Sequence, residues 1–166
     1  MITQKQTSGQ YFRALTTMYL ALLAGQIVLF VIFLYLNLTD PSQQPDPMGD
    51  ILKYLVAILV INGFVVGQLI YKKRLYKIKT LENLAAKLEA YRGAMIMRLA
   101  LLEGPSLLAL VLYFLTADLF FIMMTGFIIV IFLFFIPSRD KISRELELSS
   151  SEKMKIENPD TVINEI

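Results

Sequence analysis

The chain has 166 residues, 56% of them hydrophobic and only 18% charged, with a formal net charge of +2 and a mean hydropathy of +0.59. Soluble domains carry about 45–50% apolar residues, so a fold surrounded by water is excluded as the expectation. With no histidine and no cysteine, the chain lacks the ligands of haem, iron–sulfur and ordinary zinc sites, has no Cys or His nucleophile and forms no disulfide.

Residues 1–12 form a polar lead, expected on the cytoplasmic side. A first apolar run covers about 14–38. It is longer than the roughly 7–15 residues of a signal-peptide core and is expected to stay as a helix. The next segment, Asp40-Pro41-Ser42-Gln43-Gln44-Pro45-Asp46-Pro47, is dense in breakers and reads as an irregular outer loop. A second run covers about 51–71, a third 93–115 and a fourth 119–136. A membrane span needs about 20 mostly apolar residues, and its backbone must be helical because lipid offers no hydrogen-bond partner. The expected fold is an all-α polytopic membrane protein. Its four transmembrane helices form a bundle over 13–136, with a cytoplasmic linker at 72–92 and a cytoplasmic tail at 137–166.

Charge fixes the expected threading. Of the 16 Lys and Arg residues, Lys5 and Arg13 precede the first span and all the others but Lys53 lie in the linker, at the mouth of the third span or in the tail. By the positive-inside rule both termini are cytoplasmic and the protein is a multi-pass component of the cytoplasmic (inner) membrane.

The apolar runs repeat. Phe12 to Leu36 aligns without a gap on Tyr91 to Leu115, including Arg13/Arg92, Met18/Met97, Leu20-Ala21-Leu22-Leu23 on Leu99-Ala100-Leu101-Leu102, and Gly25/Gly104. Asn62-Gly63-Phe64 echoes Thr125-Gly126-Phe127. Both hairpins then share one orientation, as parallel repeats about an axis along the membrane normal. Gly25, Gly63, Gly67 and Gly126 are expected at helix-packing positions, with Gly63 and Gly67 in a GxxxG spacing that admits close backbone approach.

One carboxylate stands inside a span. Glu103 lies 11 residues beyond Arg92, about 16 Å along a helix, and an acid at such depth marks a candidate functional site. Gln26 and Asn62 lie at comparable depth and Ser106 follows one turn on, so Glu103, Asn62, Gln26 and Ser106 form the expected intramembrane polar site. Gly104-Pro105 is expected to kink the third helix, because proline lacks the N–H that would bond the carbonyl of Leu101. Arg98, five positions from Glu103, lies about 140° away and is not its same-face partner.

The linker is amphipathic: Thr80 is the expected N-cap, with Leu81, Leu84, Ala85, Leu88 and Tyr91 on one face of a helix that continues into the third span. The tail reads as a short helix through Leu148, then a capping box at Ser149-Ser150-Ser151-Glu152, then a break at Asn158-Pro159-Asp160 before loose final residues.

No Gly-rich phosphate loop, nucleophile elbow or metal-spaced carboxylate cluster occurs. No enzyme activity, metal or cofactor is expected, and the basic residues follow topology without needing nucleic acid. Two roles remain. One is a small accessory or scaffold subunit acting through helix packing, its partners the lipid bilayer and another membrane protein or a second copy. The other is a proton or small-cation conduit centred on Glu103.

Overall fold

A computed structural model describes residues 5–39 and 49–165. The element order is β1 (Lys5–Thr7), α1 (Ser8–Thr39), α2 (Gly49–Lys79), α3 (Leu84–Thr116), α4 (Leu119–Leu133), α5 (Arg139–Glu145), α6 (Ser150–Glu157) and β2 (Val162–Glu165). The fold is all-helical apart from one two-stranded antiparallel ribbon, β1 with β2. The breaker-rich loop at 40–48 lies outside the described residues.

Helices α1, α2 and α3 are each long and apolar enough to cross a membrane, with mean hydropathies of 2.4, 2.0 and 1.8 over their most apolar windows. Their outward side chains are those of a protein in lipid: Val31, Tyr35, Ile58, Ile61 and Leu69 are all more than half exposed. Single exposed apolar residues are ordinary, but continuous apolar faces mark an apolar surrounding. Helix α4 has only 15 residues, about 22 Å at helical rise, against the roughly 30 Å of a hydrocarbon core. The apolar run at 119–136 therefore outlasts its helix, which stops at Leu133.

The chain divides into two compact units, each containing one end of α1, α2 and α3. The first, here the basic unit, holds residues 5–20, 70–96 and 136–165; the second, the apolar unit, holds 21–39, 49–69 and 97–135.

In the apolar unit, Leu99, Leu102, Ala109 and Leu110 of α3 are buried with Val56 and Val60 of α2 and Phe121, Ile128 and Phe132 of α4. Phe33 of α1 stacks on Phe114, their ring centroids 5.1 Å apart, and Asn37 donates a 2.7 Å hydrogen bond to the carbonyl of Tyr113. The α3–α4 turn takes two residues. Ala117 has φ 53° and its N–H bonds the carbonyl of Tyr113 at 2.9 Å, the left-handed stop that closes many helices. Asp118 then caps α4 by accepting from Phe120 N–H and pairs with Lys53 at 2.7 Å.

The basic unit departs from the sequence reading at several points. Helix α2 continues eight residues past Tyr71, since Lys and Arg are good helix formers and Lys77 and Lys79 favour the helix C-terminus. Thr80 is not the cap of α3: its hydroxyl donates to the carbonyl of Lys77, and Asn83 receives the Ala85 N–H at 2.8 Å instead. Helix α3 is a single rod of 33 residues. In the tail, α5 ends at Glu145 rather than Leu148, while α6 opens on the expected capping box of Ser149 and Glu152. Residues 162–165 are strand-paired with 5–7 rather than loose. Strand pairing across such a separation leaves no local periodicity to read.

Candidate functional site

Helix α3 sorts the candidate residues by face. Gly63 of α2 abuts Leu101 and Pro105: a methyl group placed on Gly63 would overlap the Leu101 carbonyl oxygen and stand 3.4 Å from Cγ of Pro105. Four residues on, a methyl on Gly67 would meet the Arg98 carbonyl at 3.6 Å and Leu101 Cβ at 3.7 Å, ordinary contact. The GxxxG spacing thus seats α2 on α3 within one chain. Glu103 is two positions from both Leu101 and Pro105, hence about 160° around the helix from the α2 contact.

That rotation separates Glu103 from Asn62. Asn62 is exposed, and its amide donates to the carbonyl of Ile58 on its own helix at 2.8 Å. Glu103 is half-buried and, among the described residues, makes no hydrogen bond or ion pair. Its neighbours on the outer face of α3 are Ala100 and Gly104, both exposed; a methyl on Gly104 would meet nothing within 4 Å. The repeat-equivalent Ala21 and Gly25 of α1 are likewise exposed, and a methyl on Gly25 also meets nothing within 4 Å. So Gly25 is not an intrachain packing glycine. Gly126 packs more loosely than Gly63, its nearest contact being the Phe30 ring at 3.8 Å.

Gln26 and Ser106 are the two candidates that lie inside. Both are fully buried, and the Gln26 amide nitrogen and oxygen and the Ser106 hydroxyl have no hydrogen-bond partner among the described residues. Asn37 and Tyr113 are 76 positions apart, a parallel register of α1 beside α3 that brings Gln26 level with the turn from Leu102 to Ser106. Thr125 of α4, read in the sequence only as part of the repeat, is also fully buried. Its hydroxyl lies 3.2 Å from the carbonyl of Phe121 and 3.4 Å from that of Ser106. The polar interior of the apolar unit is therefore Gln26, Ser106 and Thr125, with Glu103 on its flank and Asn62 outside. Arg98 places its guanidinium 3.4 Å from the centroid of the Phe135 ring, a cation–π contact.

The basic unit holds a second polar constellation that sequence reasoning missed. One oxygen of the Glu145 carboxylate accepts from the Tyr71 hydroxyl at 2.5 Å and from the Tyr91 hydroxyl at 2.9 Å, and both tyrosines are buried. Lys87 and Glu152 pair at 2.8 Å with side chains only 10% and 16% exposed. Burial alone would raise the Glu152 pKa, but the hydrogen bonds from Lys87 and from Ser149 outweigh it and hold the carboxyl below its ordinary value of 4.5. Tyr11 donates to the carbonyl of Leu88 at 2.5 Å, and Ser8 to that of Ile156 at 2.7 Å. These bonds fasten α5 and α6 to the α2–α3 hairpin and to the start of α1. The sequence showed Tyr91 only as part of the amphipathic linker face and Glu152 only as part of a capping box. No group of three Asp or Glu side chains among the described residues is placed to hold a metal ion.

No protein-family model, no curated protein and no solved structure matches this chain.

Proposed function

We propose that this chain is a small non-enzymatic subunit of a membrane assembly, an accessory or scaffold component that docks another membrane protein or a second copy through its helix faces. The observation that carries the reading is Glu103. A half-buried carboxylate within an apolar stretch, turned away from α2 and without a partner among the described residues, is costly in lipid. A polar group from a neighbouring helix removes that cost. Beside it, Ala100 and Gly104 give a small-xxx-small surface that admits a second helix backbone, and Ala21 and Gly25 repeat the surface on α1.

In this reading the chain crosses the cytoplasmic membrane four times, as two parallel-repeat hairpins with both termini inside. Supporting it are the 15-to-1 division of basic residues and the side-by-side register of α1 and α3, at 76 positions close to the repeat offset. For α4, the apolar residues Phe134, Phe135 and Ile136 extend the run, and short spans are accommodated by local thinning of the bilayer.

The test is the mass of the particle released by mild detergent. An assembly well above the 18.9 kDa chain is expected, and Glu103→Leu is expected to shrink it. A lone monomer in every mild detergent contradicts the proposal.

A conduit for protons or a small cation is the second reading. The buried, unpartnered polar atoms of Gln26 and Ser106 at the level of Glu103 favour it, since such atoms in an interior invite water or an ion. Equal proton flux through vesicles bearing the parent or Glu103→Gln removes it.

A further inference from the structure

We propose that the docking partner is a second copy of this chain, with Glu103 of one copy hydrogen-bonded to Asn62 of the next. This rests on the assembly reading above and names its partner.

The register of α2 on α3 carries it. Gly63 meets Leu101 and Pro105, the residues two before and two after Glu103, so Gly63 stands level with Glu103. Asn62 is one residue away, about 1.5 Å along its helix. The two polar groups share a level but face different ways. Glu103 turns away from α2, whereas Asn62 is exposed among Ile58, Ile61 and Leu69, each more than half exposed. Within one chain they are kept apart. Copies threaded alike and related by an axis along the membrane normal keep every residue at its own level. A neighbouring copy therefore offers Asn62 at the depth of Glu103.

The chemistry matches. Asn62 spends one amide hydrogen on the Ile58 carbonyl, and its other amide hydrogen and its Oδ1 have no partner among the described residues. That hydrogen can donate to a carboxyl oxygen of Glu103, and a protonated carboxyl can donate to Oδ1. Each group removes the cost of the other in hydrocarbon. Shape agrees, since Ala100 and Gly104 leave the α3 surface low beside Glu103 while Ile58, Val65 and Val66 stand out around Asn62. A second copy is the partner whose amide the fold already places at this depth. The contact runs head to tail, each copy giving Glu103 to one neighbour and Asn62 to the other, as in a ring.

The chain has no cysteine, so disulfide mapping tests the contact directly. Ala100→Cys and Val66→Cys are placed in separately tagged full-length chains and oxidised in native membranes, with Glu103 and Asn62 intact. Both positions lie one turn from the pair, on the same faces and in the same direction. A disulfide between the two chains is expected. Ala100→Cys with Ile58→Cys, about 12 Å off level, is expected to give none. Asn62→Leu or Glu103→Leu added to the linking pair is expected to lower the yield about tenfold. Equal yields from the two pairs, or a yield indifferent to Asn62→Leu, would overturn the proposal. A large particle without the expected disulfide would also overturn it and leave docking to a different protein standing. A lone monomer in every mild detergent would overturn both.

Discussion

Gly63 of α2 lies directly against the main-chain carbonyl of Leu101 in α3, the carbonyl that Pro105 leaves without its usual intrahelical donor. The two features explain each other. Proline removes one N–H from the ladder, and the oxygen it frees faces a glycine whose missing side chain leaves room for it.

This contact separates the two glycines of the GxxxG pair. Gly63→Ala is expected to destabilise the chain by about 1–2 kcal/mol, because its methyl collides with backbone rather than a movable side chain and overpacking outweighs the gain in helix propensity. Gly67→Ala, whose methyl meets only ordinary contacts, is expected to be neutral or to stabilise by up to about 1 kcal/mol. Unfolding in a detergent titration distinguishes the two. Equal effects would show that α2 does not rest on Leu101.

Much of this was legible in the sequence, for physical reasons that also set the limit. Span-length apolar runs identify α1, α2 and α3 because lipid imposes a length on a helix, and the Ser149–Glu152 capping box is a local pattern. What failed was rotation. Glu103 and Asn62 share a depth, yet the contact of Gly63 with Leu101 turns Glu103 to the far side of α3, and depth alone carries no azimuth. The Tyr71–Glu145–Tyr91 contacts and the β1–β2 ribbon join residues far apart in the chain, beyond any periodicity.

The Lys87–Glu152 pair makes stability depend on pH. Glu152 is held below its ordinary value of 4.5 by Lys87 and Ser149 against the opposing effect of burial. Its contribution is therefore fully present above the unfolded-state pKa and is lost as pH falls through the lower folded-state value. Below about pH 4.5 the parent is expected to lose unfolding temperature more steeply than Glu152→Gln, which lacks that titration. Parallel pH profiles would show that the pair contributes nothing.

Tyr71 and Tyr91 hold the tail through one carboxylate. Tyr71→Phe and Tyr91→Phe each remove a hydrogen bond to a charged acceptor, which is worth about 1.5–3 kcal/mol. Amide exchange within α5 and α6 is expected to accelerate about tenfold or more in each variant, with little change in α4. Unchanged exchange in α5 and α6 would mean that Glu145 does not fasten the tail.

In the proposed assembly protein, rather than lipid alone, covers the outer face of α3 beside Glu103. A photoreactive amino acid at Gly104, where an added methyl group would meet nothing within 4 Å, tests it in native membranes against the same probe at Met123, 65% exposed on α4. A protein adduct from position 104 and lipid adducts from position 123 are expected. Lipid adducts alone from both positions would contradict it.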